Sequence, residues 1–152
     1  MDRKDRQIIA ALQRDGRLTN QDLAQQVNLS PSPCLRRTRA LEERGVIKGY
    51  TAIVDEKAYG LPVTALVRIS LERHTGAVVD LFEKKVRETA QILDCYVITG
   101  SEDYLLRVLV EDLAGYEAFV RTKLHNIPGI ASIDSSFAYG ILKQSTVFPI
   151  LD

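Results

Sequence analysis

Apolar positions in the first 45 residues recur every three to four places, the spacing of short helices that each bury one stripe. Over 5–15, Ile8, Ile9 and Leu12 share a face, and Gly16 follows as a stop. Thr19, with Asp22 three places on, marks the start of a second helix. That helix runs to about Val27 and buries Leu23 and Val27, and Asn28-Leu29-Ser30 forms the turn after it. Ser32 followed by Pro33 opens a third helix, because a hydroxyl caps and a proline ring is tolerated at the first position. It continues over 33–44 and ends at Gly45. Cys34, Leu35, Thr38 and Leu41 form its inward stripe, with Arg36, Arg37 and Arg39 on the opposite side.

The period then changes. Residues 46–54 are rich in β-formers and broken by Gly49, which fits a small wing or a hinge strand pairing with a partner chain. Gly60 and Pro62 punctuate 55–62, the expected domain boundary. Strict alternation over 63–72 puts Val67, Ile69 and Leu71 on one side of a strand, with Arg68 and Ser70 on the other. A helix over 76–89 turns Val79, Phe82 and Val86 inward. Strands over 92–99 and 103–111 flank a Gly100-Ser101-Glu102 turn. A second helix over 113–126 presents Tyr116, Phe119, Val120 and Leu124, and Ile127-Pro128-Gly129 ends it before a long strand over 130–142. The order βαββαβ predicts a four-stranded antiparallel sheet with both helices on one face, the ferredoxin-like arrangement. The fold class is therefore α+β: a helix-turn-helix domain over 1–54, a linker over 55–62, and a ferredoxin-like domain over 63–152. The sheet face left bare predicts an oligomer.

Composition adds an asymmetry. The 152 residues carry 20 Lys/Arg and 20 Asp/Glu. Positions 1–50, however, hold ten basic and six acidic residues, a balance of +4 that the remainder offsets. A basic first third points to a polyanionic partner for that part alone. No apolar run approaches the roughly 20 residues of a membrane helix. The first residues lack the pattern of a signal peptide, so a cytoplasmic location is expected. Cys34 and Cys95 form no CxxC pair and read as reduced, buried thiols. His74 and His125 stand apart and read as surface residues. HExxH, Walker, GxGxxG and GxSxG patterns are all missing, so no catalytic residue, metal site or cofactor is expected. An enzyme on a dimeric ferredoxin-like domain would leave the N-terminal module without a purpose.

The arginine-rich third helix suits double-stranded DNA. The second helix of a helix-turn-helix enters the major groove with its N-terminal residues against base edges. There an arginine donates two hydrogen bonds to guanine O6 and N7, while neighbouring arginines neutralise phosphates. Ser30 and Ser32, near the helix start, are placed to donate to a phosphate.

The segment LTNQDLAQQVNLSPSPCLRRTRALEERGVIKGYTAIVD resembles the N-terminal domain of the Lrp/AsnC family, the leucine-responsive and asparagine-responsive regulators. CYVITGSEDYLLRV is similar to that family's glycine-containing effector loop, and IPGIASIDSSFA to its last helix-to-strand passage. The resemblance spans residues 2–149. It implies Arg36 and Arg37 as base contacts, and Ser30, Ser32 and Arg39 as backbone contacts. It also implies a small-molecule effector, an amino acid, held at Thr99, Gly100, Ser101, Glu102, Asp103 and Tyr104, with Ser135 and Ser136 completing the pocket. Loop N–H groups would receive the carboxylate, and Glu102 or Asp103 the ammonium. Relatives often carry Asp and then an aromatic where Ser101 and Glu102 stand. The resemblance further implies a homo-oligomer built from dimers, a tetramer or octamer, on a roughly palindromic operator.

Overall fold

Helix α1 (Arg3–Arg14) starts earlier than its apolar stripe suggested, because Asp2 and Asp5 cap each other. The Asp5 N–H donates to Asp2 Oδ1 at 2.9 Å and the Asp2 N–H to Asp5 Oδ2 at 3.0 Å, so two donors left over at the helix start are satisfied reciprocally. The structure, a computed structural model, describes residues 1–149. It divides into one unit of Met1–Ile53 together with the chain from Leu142, and a second unit of Val54–Ile141.

In the first unit Thr19 caps α2 (Asn20–Gln26), accepting from the Asp22 N–H and donating to its carboxylate at 2.6 Å. Helix α3 spans Pro31–Glu43 with Ser30 as its N-cap residue. Two prolines fit its first turn because the N–H groups they lack have no partner there anyway. The expected start at Ser32-Pro33 is therefore corrected: Ser32 lies inside the helix. Asn20 Nδ2 donates to the Pro31 carbonyl at 2.9 Å and ties the start of α2 to the start of α3. Gly45 closes α3 at φ +68°, a conformation open to glycine at no steric cost. Ile8, Ala11, Leu23, Ala24, Val27, Cys34 and Leu41 form the core of this unit.

The β-rich 46–54 stretch makes no paired strand among the described residues, since a strand needs a neighbour for its ladder. Near the other end of the chain, the Gln13 side chain holds residues 146–148. Its Nε2 donates to the Thr146 carbonyl at 2.6 Å and its Oε1 accepts from the Phe148 N–H at 3.0 Å. The amide thus bonds as a strand neighbour would.

The second unit opens with a short helix, α4 (Glu56–Tyr59), where a linker was expected; Asp55 caps it and Gly60 ends it. There follow β1 (Val63–Leu71), α5 (Gly76–Glu88), β2 (Ile92–Val97), β3 (Tyr104–Val110), α6 (Leu113–Phe119) and β4 (Ile130–Phe137). Strand order is β2-β3-β1-β4, with every recorded pairing antiparallel, as a ferredoxin-like fold requires. Helix α6 runs on as a π-helical turn, Val120–Leu124.

Alternate residues of β1 (Ala65, Val67, Ile69, Leu71) meet Tyr104, Leu106, Val108 and Val110 of β3 and Phe82, Val86, Tyr116, Phe119 and Leu124 beneath the helices. Gly129 is needed where β4 begins. Its φ is +89°, and a Cβ there would stand 2.6 Å from Val78 Cγ1. On the other sheet face, Arg107 donates to Asp94 and, at 3.0 Å, to Glu56, fastening α4 to the sheet.

Further expectations change. The last strand ends at Phe137 rather than 142, because its partner β1 begins at Val63 and offers no ladder beyond the Ala138–Thr64 bond. Residues 54–61 fall in the second unit and the chain from Leu142 in the first, whereas 55–62 was expected as a linker and everything after it as one domain. Positions 150–152 of that expected range lie outside the described residues. Finally, Cys34 is buried but Cys95 is exposed, because β2 is a sheet edge. Among the described residues no helix is long and apolar enough to cross a membrane.

Candidate functional site

Helix α3 has two faces of different character. Cys34 and Leu41 are fully buried, and Thr38 beside them donates to the Cys34 carbonyl at 3.0 Å. The outward face carries Ser32, Leu35, Arg36, Arg39, Ala40 and Glu43, which line an open depression of about 390 Å³. Arg36 and Arg39 are exposed there. Ser30 is also exposed, at the N-cap, and its hydroxyl makes no capping bond.

Arg37 departs from the expected pattern. Its Nη1 donates to Asp5 Oδ1 at 2.7 Å and to Asp2 Oδ2 at 2.8 Å, so the guanidinium clamps α3 to the capped start of α1. Asp5 is only 9% exposed. The Asp5 N–H, then the Arg37 guanidinium, hold the Asp2 carboxyl below the usual carboxylate range. Arg37 is therefore corrected from a groove-facing residue to one that fixes the helix. Leu35 is corrected as well: assigned to the inward stripe, it is 38% exposed.

Arg37→Met should lower the melting temperature of the N-terminal unit by leaving Asp5 without its cation. In the folded protein it should leave the salt dependence of DNA binding unchanged. A fall of about one in the slope of log affinity against log salt would place Arg37 on the phosphates, and a relaxed preference at one base position would restore it as a base contact.

The loop between β2 and β3 is held from below. The Ile98 N–H donates to the Asp103 carbonyl and the Asp103 N–H to the Ile69 carbonyl, both at 2.9 Å. Asp103 Oδ2 accepts from the Leu71 N–H at 2.8 Å, and Oδ1 lies 2.7 Å from His74 Nε2. Both oxygens are thus committed to positioning the loop, and His74, read from sequence as solitary, is the partner of Oδ1. Thr99, Gly100 and Ser101 are exposed, with Gly100 at φ +129°. Ser101 Oγ donates to the Glu102 carboxylate at 2.8 Å.

The remaining expected residues do not converge. Tyr104 is 4% exposed and packs against Phe82 with ring centroids 4.5 Å apart and planes tilted by 41°; it is a core residue, not a loop contact. Ser135 and Ser136 lie on opposite faces of β4, as successive strand residues must. Ser135 meets the Tyr116 hydroxyl on the helix side, while Ser136 accepts from Arg68 at 3.4 Å on the open side. Arg68, which also meets Asp134, was not singled out from sequence. It shares the open face with Ser70, whose hydroxyl donates to the Ser101 carbonyl at 3.4 Å. A separate depression of about 310 Å³, lined by Val54, Glu56, Tyr59, Leu61, Leu93 and Leu109, lies toward the far end of β3. Among the described residues no cluster of three or more His, Cys, Asp or Glu is arranged to hold a metal.

The Leu71 N–H first, and His74 second, hold Asp103 below the ordinary aspartate value of 3.8. A carboxyl depressed on folding contributes stability above its unfolded pKa and loses it as pH falls through the folded value. The second unit should therefore weaken below about pH 3.8, and Asp103→Asn should flatten that part of a stability-against-pH curve measured by urea unfolding. An unchanged curve would remove Asp103 from the loop's support.

Comparison with known proteins gives a consistent result. A winged helix-turn-helix DNA-binding model matches residues 1–48, and an Lrp/AsnC ligand binding domain model matches residues 64–148. The Bkd operon transcriptional regulator of Pseudomonas aeruginosa is 46% identical over 138 residues, covering 91% of this chain and 90% of its own. The leucine-responsive regulatory protein of Escherichia coli is 36% identical over 145 residues, covering 95% and 88%. Among solved structures, a transcriptional regulator from Neisseria meningitidis in complex with L-Met superposes with a TM-score of 0.93 at 36% identity. That alignment covers 98% of this chain and 96% of the other.

Proposed function

The chain belongs to the Lrp/AsnC family of transcriptional regulators, which are not enzymes, and on that premise we propose that it reads duplex DNA as an amino-acid-responsive homo-oligomer. The observation that carries the DNA half is the division of labour on α3: one face is packed and clamped, while Ser32, Arg36 and Arg39 stand exposed on the other. Arg36, in the second turn, is the base-reading residue. Ser30, Ser32 and Arg39 meet the phosphate backbone. The second unit is the sensor, and the protein works in the cytoplasm.

In the effector site the exposed backbone of Thr99-Gly100-Ser101 receives the carboxylate of an amino acid, aided by Arg68 from the open sheet face. Glu102 receives the ammonium, because Asp103 is already used by the loop. Tyr104 and Ser135 act only through packing, and Ser136 through Arg68. An amino-acid ligand is supported by the relative named as leucine-responsive and by the L-Met complex of the Neisseria regulator. The open sheet face, with Leu66, Tyr96 and Leu105, supports pairing of two copies, and such dimers assemble into a tetramer or octamer.

The test has two arms. A duplex selected from a randomised pool should bind with log affinity falling linearly against log salt. A thermal-shift panel of the twenty amino acids should stabilise the protein with at least one, and Glu102→Gln should abolish that shift. Absence of DNA binding in dilute buffer would end the first reading. A flat panel would end the second, and a monomer by light scattering would end the assembly.

A further inference from the structure

Leu35 has no evident duty in the core of the first unit. It is 38% exposed on a helix whose buried positions are taken by Cys34 and Leu41. At helical spacing its nearest outward neighbours are Ser32, one turn before it, and Arg39, one turn after it. All three line the same open depression, together with Arg36. A leucine set among arginines on a solvent-facing surface gains nothing until something covers it. The two flanking cations make a polyanion the complementary cover.

The major groove offers an apolar side chain one group of its own kind, the C5-methyl of thymine. Position 35 also lies in the second turn of α3, in the N-terminal half of a helix of the type that meets base edges. We propose that Leu35 is a specificity-determining residue that packs on a thymine methyl beside the base read by Arg36. This inference rests on the DNA-binding reading above. It adds a hydrophobic element to a recognition surface otherwise made of hydrogen-bond donors, and it requires a thymine at a fixed step from the Arg36 contact in each half-site.

The experiment removes the methyl rather than the side chain alone. Starting from the highest-affinity duplex selected by the wild-type protein, each thymine is replaced in turn by deoxyuridine, which pairs identically but lacks the methyl. Loss of one buried methyl should weaken wild-type binding about fourfold at one position per half-site. In Leu35→Ala that same replacement should have no effect, while sensitivity at every other position persists. Leu35→Ser provides a second variant, and thermal melting confirms that both stay folded, as expected for an exposed position. A wild-type protein indifferent to every methyl, or a fourfold loss that survives in Leu35→Ala, overturns the proposal while leaving DNA binding intact. Failure to select any duplex would instead defeat the DNA reading and this inference with it.

Discussion

Phe82→Ala should cost about 3–5 kcal/mol of stability in the second unit, the range for truncating a fully buried aromatic. Phe82 is 0% exposed and its ring packs at a tilt against that of Tyr104. Tyr104 is the first residue of β3 and follows directly on the loop between β2 and β3. The pair therefore joins α5 to the sheet at the place where the loop is anchored. Removing the ring loses its transfer free energy and leaves a void bounded by β1, β3 and α5, elements that refill it only in part. Urea unfolding monitored in the intact chain measures the loss. A cost below about 1 kcal/mol would mean that the site collapses freely and that packing there does not set the loop. Phe82→Leu should recover part of the loss, since it restores most of the apolar volume.

Arg36→Ala should weaken binding to the selected duplex by about 1–3 kcal/mol, roughly 5- to 150-fold, and relax preference at one base position. The expectation follows from where the side chain stands: outward, exposed and in the second turn of a helix clamped on its other side by Arg37. Arg39→Ala, a turn further along, should instead weaken all sequences alike and reduce the salt slope by about one. Measuring both variants across several salt concentrations on matched and mismatched duplexes separates base reading from charge neutralisation. A uniform loss for Arg36→Ala would exchange the two roles.

The strands were legible because alternation is a strict signal. In β1, Ala65, Val67, Ile69 and Leu71 are all buried and their intervening neighbours only partly so. What the pattern could not show was where pairing stops. Residues 138–142 carry further β-formers, but past the Ala138–Thr64 bond β1 is all but exhausted, since it begins at Val63. Likewise 46–54 has the residues of a strand and, among the described residues, no strand paired with it.

The helix faces were harder. At about 100° per residue, Arg37 falls only some 60° from Cys34, whereas Leu35 falls about 100° away. The angle alone thus places Arg37 on the flank of the buried stripe and Leu35 outside it. Residue type points the opposite way, leucine inward and arginine outward. The partner that makes a flanking arginine comfortable was in the sequence too: Asp2 and Asp5, three places apart at a helix start, are the reciprocal cap that receives it. The His74–Asp103 contact left no such trace, since 28 intervening residues separate two groups that only the β1–β3 pairing brings together.

The chain crosses between the two units twice, once after Ile53 and again after Ile141. A gene fragment cut at the first crossing would thus yield a three-helix module whose Gln13 amide has lost the strand-like segment it grips. Isolated domains prepared that way would report on a trimmed molecule. A faithful dissection has to keep residues 142–149 with the helical module.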